Sequence, residues 1–327
     1  MNAYFIIVLL GVVLFFVVWT LGWLLERLSH LLLTTTREPG TRSWYMLVGP
    51  GVALHESSHA LGCLLTRTEI VEFKPINIEV QDDQIVLGYV KYRKPASSLK
   101  NAIINLAPVA VSLLLLIAFA LGATYLVPES PGLGGDALSL WNDLINAKLN
   151  PDIFYPVTQI ASFVYLFLYT VAELTVVNPI FWIVAFLAMT IMFSNAPSDV
   201  DIKNAAGGLK AIILFNIIWL TVAYFLPDAG WILIGFYELL AVLFALALGF
   251  AAVGYGFFIL IAAMSKLRSP LQIIPIASCI ISGVAFWYLD AAAVISLSLA
   301  SQTILAVGVL IIITLIMLML RPLRRSG

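Results

Sequence analysis

Charge is scarce in this chain, and its scarcity excludes whole classes of protein. Among 327 residues there are 17 Lys or Arg and 18 Asp or Glu, 11% together, with a net charge of −1. That balance offers no basic surface for nucleic acid. Cysteine is scarcer still: Cys63 and Cys279 both lie in apolar runs and suggest no disulfide framework. Histidine occurs three times, at His30, His55 and His59. What fills the chain is apolar. Hydrophobic residues make up 62% and the mean hydropathy is +1.03, which excludes an ordinary soluble domain.

Apolar runs near the length of a bilayer crossing recur at about 3–25, 45–66, 101–127, 156–177, 179–198, 209–226, 231–265, 271–289 and 292–320. The pattern predicts an all-α polytopic membrane protein with about eight or nine transmembrane helices. Ala3 to Leu25 reads as the first span rather than a signal peptide, because no basic segment precedes it and no Ala-x-Ala site follows. Asn178-Pro179 marks a break, and 231–265 is long enough for one tilted helix or two short ones. No soluble domain fits between the spans, and no internal repeat is visible. The chain divides into a first helix and connection at 1–44, a core at 45–208 and additional spans at 209–327. Lys and Arg fall in connections, at span margins or in the tail. The basic connection 67–100 is expected in the cytoplasm and the acidic one at 128–155 outside, although Arg27, Arg37 and Arg42 then fall on the wrong side.

Within the second run stands His55-Glu56-Ser57-Ser58-His59, in a stretch from Tyr45 to Thr66 that holds no Lys, Arg or Asp. Ionisable groups inside a span are costly without a partner. On a helix, positions i and i+4 lie about 40° apart and about 6 Å along the axis, so two imidazoles can reach one ion. Glu56 projects nearby, where it can take a proton from a metal-bound water. Cys63, one turn beyond His59, reads as a small buried hydrophobe.

After this helix, Val71, Phe73, Ile76, Ile78 and Val80 alternate with polar residues, Asp82-Asp83 supplies a turn, and Ile85 to Tyr92 is again β-rich. A small β-hairpin is expected. It either presents an edge to an extended substrate or merely caps the bundle.

A catalytic zinc site needs a third protein ligand and an open position. His30 lies outside the apolar runs. Glu173, Asp199, Asp201, Glu238 and Asp290 are the candidate acidic residues in or beside the spans. The segment Ser194 to Lys203 is the richest in polar groups, with Asn195 and Pro197 interrupting an apolar run before two carboxylates. Asp199 and Asp201 are two residues apart, so on a helix they point about 200° apart and cannot both face the imidazoles. Asp201, at the head of the next helix, is the better placed. Asp199 suits a turn or cap. Glu173 and Glu238 remain open.

With these residues in view, the chain resembles the site-2 protease family of intramembrane zinc metalloproteases. Val52 to Ala60 resembles that family's zinc helix, and the extended stretch from Thr68 to Tyr92 stands where its strands follow. Asn105-Leu106-Ala107-Pro108-Val109-Ala110-Val111 is similar to its next helix, and Asn195 to Asp201 to its Asn-, Pro- and Asp-containing segment. Ala107 stands where Gly is usual, the Asn-to-Asp spacing is shorter, and Gly207-Gly208 comes later than the family's Gly. The resemblance covers about 45–205. It implies Zn2+ held by His55, His59 and an Asp (Asp201), Glu56 as general base and then acid, and Asn195 and Asn105 as substrate contacts. The implied reaction is peptide-bond hydrolysis in a membrane-spanning protein substrate, inside the lipid bilayer of the cell membrane. Three other readings stay open: an inert zinc-binding membrane protein, a membrane zinc protease with a Glu third ligand, and a transporter with an incidental motif. The sequence is silent on oligomeric state.

Overall fold

The computed structural model describes residues 42–126, 132–147, 155–194 and 213–320, except positions 78, 82–83, 87 and 268–269, together with scattered helical positions between 11 and 27. Its helices are α1 (Arg42–Thr66), α2 (Ser98–Leu126), α3 (Gly132–Ala147), α4 (Tyr155–Glu173), α5 (Pro179–Ser194), α6 (Ile213–Phe225), α7 (Pro227–Ser265), α8 (Ile273–Ala291) and α9 (Leu299–Met319). Between α1 and α2 lie β1 (Ile70–Lys74), β2 (Glu79–Gln81), β3 (Gln84–Val86) and β4 (Tyr89–Tyr92). Among the described residues five helices are long and apolar enough to cross a membrane: those at 98–118, 155–173, 228–265, 273–291 and 299–319. The helices at 179–191 and 213–225 are apolar but shorter.

Local chemistry explains the boundaries. Arg67 takes a left-handed conformation (φ 54°), and the amides of Arg67 and Thr68 close back on the carbonyls of Leu64 and Cys63. This turn satisfies the last carbonyls of α1 and sends the chain directly into β1. Pro179 opens α5 and Asn178 Oδ1 accepts from the Ile180 amide at 2.9 Å, so the break expected at this dipeptide is a capped helix start. α7 is a single helix of 39 residues, about 58 Å long. That is nearly twice the thickness of a hydrocarbon core of about 30 Å. The segment 128–155, expected as an outer connection, instead contains α3. Leu140 and Leu144 lie one turn apart on the face that α3 buries against its neighbours α2, α4 and α7. An amphipathic helix short of a full span escapes a search for apolar runs.

The hairpin forms as two antiparallel pairs, β1 with β4 and β2 with β3. Glu72 pairs across to Lys91, accepting from its Nζ at 2.9 Å and from Tyr89 Oη at 2.5 Å. The Tyr89 hydroxyl first, and then Lys91, hold the Glu72 carboxyl below its ordinary range. Its contribution to the hairpin is therefore present above that ordinary range and is lost as pH falls through the lowered value.

The apolar core lies among α4, α5 and α7, where Phe167 meets Phe250 edge to face with centroids 4.8 Å apart. α1 packs on α2 and α5, and α5 in turn packs along α7. The α5–α7 contact is backbone to backbone at Gly254: a Cβ there would fall 2.8 Å from the Ala188 carbonyl group and the Met189 nitrogen. Gly256, two residues on, is open. Gly254→Ala should therefore destabilise the bundle by about 1–3 kcal/mol. Gly256→Ala should be neutral or stabilising by up to about 1 kcal/mol through helix propensity. Thermal unfolding of the two purified variants in detergent checks the contrast.

Candidate metal centre

The His55–His59 pair sits on α1 where α2 and α5 close over it. His59 is buried and His55 half-buried. Their Nε2 atoms lie 3.1 Å apart, with ring centroids 4.7 Å apart and planes at 82°. The opposite nitrogens face backbone carbonyls: His55 Nδ1 donates to the Ser194 oxygen at 2.7 Å and His59 Nδ1 to the Ile104 oxygen at 2.9 Å. A carbonyl can only accept, so both Nδ1 atoms carry the proton. In the neutral rings both Nε2 atoms then present lone pairs. Two lone pairs at this distance repel unless a proton or a metal ion lies between them. Two nitrogens bound to one zinc at about 2.0–2.1 Å with tetrahedral geometry stand about 3.3 Å apart. The donor set fits a shared metal ion, and the Nδ1–H···O=C bonds are the kind that orient metal-ligating histidines.

Two close approaches bring the neighbouring elements to the pair. At Gly62, three residues beyond His59, a Cβ would lie 2.9 Å from Ile104 Cα and 3.0 Å from Ala107 Cβ. The missing side chain lets the α2 backbone rest on α1, which puts the Ile104 carbonyl within reach of His59. At Gly88, just before β4, a Cβ would lie 2.7 Å from the Pro75 oxygen, 3.0 Å from Glu56 Cγ and 3.1 Å from Val52 Cγ1. The waist of the hairpin is thus pressed against the Glu56 face of α1. Glu56 itself is half-buried.

Of the candidate third ligands, Asp199 and Asp201 lie outside the described residues, as does Asn195. Glu173 is exposed at the end of α4, and Glu238 is buried within α7 at 2% exposure. Among the described residues no three His, Cys, Asp or Glu side chains gather so as to hold one ion. Cys63 is fully buried. Asp290 accepts from the Leu297 amide and from Gln302, and so braces the turn between α8 and α9. Asn105 is buried and donates to the Asn101 carbonyl at 2.6 Å and to Tyr92 Oη at 3.3 Å, which ties α2 to β4.

Sequence reasoning missed Ile104 and Ser112. Ser112 Oγ donates to Ser194 Oγ at 2.9 Å, both fully buried, and thereby links α2 to the residue whose carbonyl orients His55. Ser194 stood at the edge of the polar segment singled out by composition. Ser112 carried no signal, because a lone Ser in a span usually bonds its own helix.

Gly88→Ala should displace the hairpin from Glu56 while leaving the two imidazoles and their carbonyl partners in place. Hydrogen exchange of the 70–92 amides should rise by about tenfold or more, and metal content should stay at the wild-type level. Equal exchange in the two proteins would show that the hairpin does not depend on this contact. The chain matches no protein-family model, no curated protein and no solved structure.

Proposed function

We propose that the chain is a zinc-dependent intramembrane endopeptidase of the site-2 type, acting on membrane-spanning segments of other proteins. The observation that carries this reading is the pair of Nε2 atoms 3.1 Å apart, each ring held through its Nδ1–H by a backbone carbonyl, with Glu56 between them in the helix. His55 and His59 would hold the ion, with Asp201 as third ligand. Bound there, zinc supplies Lewis-acid polarisation of the scissile carbonyl and acidifies a water to near neutrality. Glu56 would act as the general base toward the attacking water and then as the general acid toward the leaving amine. The bundle around His59 limits bulk water, which strengthens each of these charge interactions.

The hairpin supports the same reading. A helix with all its hydrogen bonds intact hides its carbonyls, so a membrane-spanning substrate must locally unwind to be cut. β1 and β4 each have one strand partner among the described residues. A second edge on either strand would hold the unwound segment extended by backbone pairing beside Glu56. Asn195 is the proposed polar contact for it. Asn105, which also donates to Asn101 and Tyr92, is proposed as a second polar contact. The whole chain is proposed to cross the cell membrane eight or nine times, with the spans after about 209 outside the catalytic core.

Purified His55→Ala and His59→Ala should each lose stoichiometric zinc, because water does not replace a protein ligand at equal affinity. Glu56→Gln should keep its zinc and lose about 10²–10⁴-fold in turnover of a tagged single-span test protein. Metal analysis beside the cleavage assay separates the possibilities. Zinc retained in wild type that does not cleave the test protein would leave a structural metal site. Cleavage by Glu56→Gln at the wild-type rate would remove Glu56 from the mechanism.

A further inference from the structure

Pro108 lies buried inside α2, four residues after Ile104. In an α-helix the N–H of residue i+4 closes on the carbonyl of residue i, and proline has no N–H. The helix therefore cannot supply its usual donor to the Ile104 carbonyl. That carbonyl is the one that receives His59 Nδ1–H at 2.9 Å. The coincidence is specific in register. A proline one residue earlier or later would vacate the carbonyl of Ile103, which is exposed, or of Asn105.

His55 meets a related condition on the other side. Its acceptor, the Ser194 carbonyl, is at the end of α5, where the last carbonyls of a helix have no donor from within it.

We propose that Pro108 is a positioning residue for the metal centre: by withholding its N–H it leaves the Ile104 carbonyl to His59, which fixes that ring as the Nδ1–H tautomer with Nε2 turned to His55. The proposal rests on the metal-binding reading of the pair. The bland role for Pro108, packing or a bend in α2, does not require the vacated carbonyl to fall under His59. It also makes the opposite prediction for stability.

Pro108→Ala and Pro108→Val both restore an N–H that competes with His59 for Ile104. They differ in bulk, Val being close to proline in size. Full-length protein in detergent is stripped with a chelator and titrated with Zn2+. Its thermal unfolding is recorded without metal, and its histidine ring nitrogens are followed by ¹⁵N NMR. Both variants should bind Zn2+ about 10–100-fold more weakly. Their metal-free melting temperature should equal or exceed the wild type, since α2 gains a hydrogen bond. The His59 ring should lose its Nδ1–H preference in both.

Unchanged Zn2+ affinity in both variants would overturn the proposal. So would a loss confined to Ala, which would trace to packing, or a melting temperature lowered in both, which would make Pro108 structural. Should the wild-type chain take up no zinc, the metal-binding reading itself falls. The NMR arm on metal-free protein then decides the role of Pro108 alone: a wild-type Nδ1–H tautomer lost in both variants supports it, and identical spectra overturn it.

Discussion

An imidazole N–H buried among apolar helices must find an acceptor, and in a helical bundle nearly every carbonyl already has one. Leaving the donor unsatisfied costs about 1–3 kcal/mol, and the surrounding low dielectric offers no water as a substitute. His55 and His59 both meet this demand with backbone oxygens, at 2.7 and 2.9 Å, and they draw them from two different helices. The positions of α2 and α5 around α1 are bound to this requirement. So is the facing of the two Nε2 atoms, since once each Nδ1 is held the ring has little freedom left.

The packing serves the same end by small residues rather than large ones. Gly62 admits the α2 backbone to the surface of α1, and Gly254 admits α5 to α7. Ser112 and Ser194 then join α2 to α5 across the space behind His55. Helices that associate in an apolar medium gain little from hydrophobic burial. Close contact and buried hydrogen bonds must supply what the solvent does not. Phe167 and Phe250 meet in the core among α4, α5 and α7 and join α4 to α7.

The hairpin sorts its side chains between two faces. Glu72, Lys74, Tyr89 and Lys91 form a charged face held by mutual contacts. Phe73 and Val90 lie on the other face, with Tyr92 reaching back to α2. At its waist, Gly88 brings the backbone against Glu56. A segment placed there would meet Glu56, the proposed general base, and a strand edge together, which is the arrangement the proposed reaction needs.

By itself the sequence determined that the chain is apolar, that most of it is helical, that a hairpin follows the His-Glu-x-x-His helix, and that the chain breaks at Asn178-Pro179. These follow from composition, from the length of the apolar runs, from an alternation of period two and from a proline, which are local properties. The i, i+4 spacing of His55 and His59 likewise determined that both rings lie on one face of α1. Only the tertiary structure decided which carbonyls receive their protons, because Ile104 and Ser194 lie 45 and 139 residues from their partners and act through backbone atoms that every residue shares. It also decided that 132–147 is a helix, since that segment's apolar stripe gains its meaning from the elements it packs on. Glu173 and Glu238 looked alike as carboxylates in spans. Packing left one exposed and enclosed the other, and neither outcome is encoded within a few residues of the site itself.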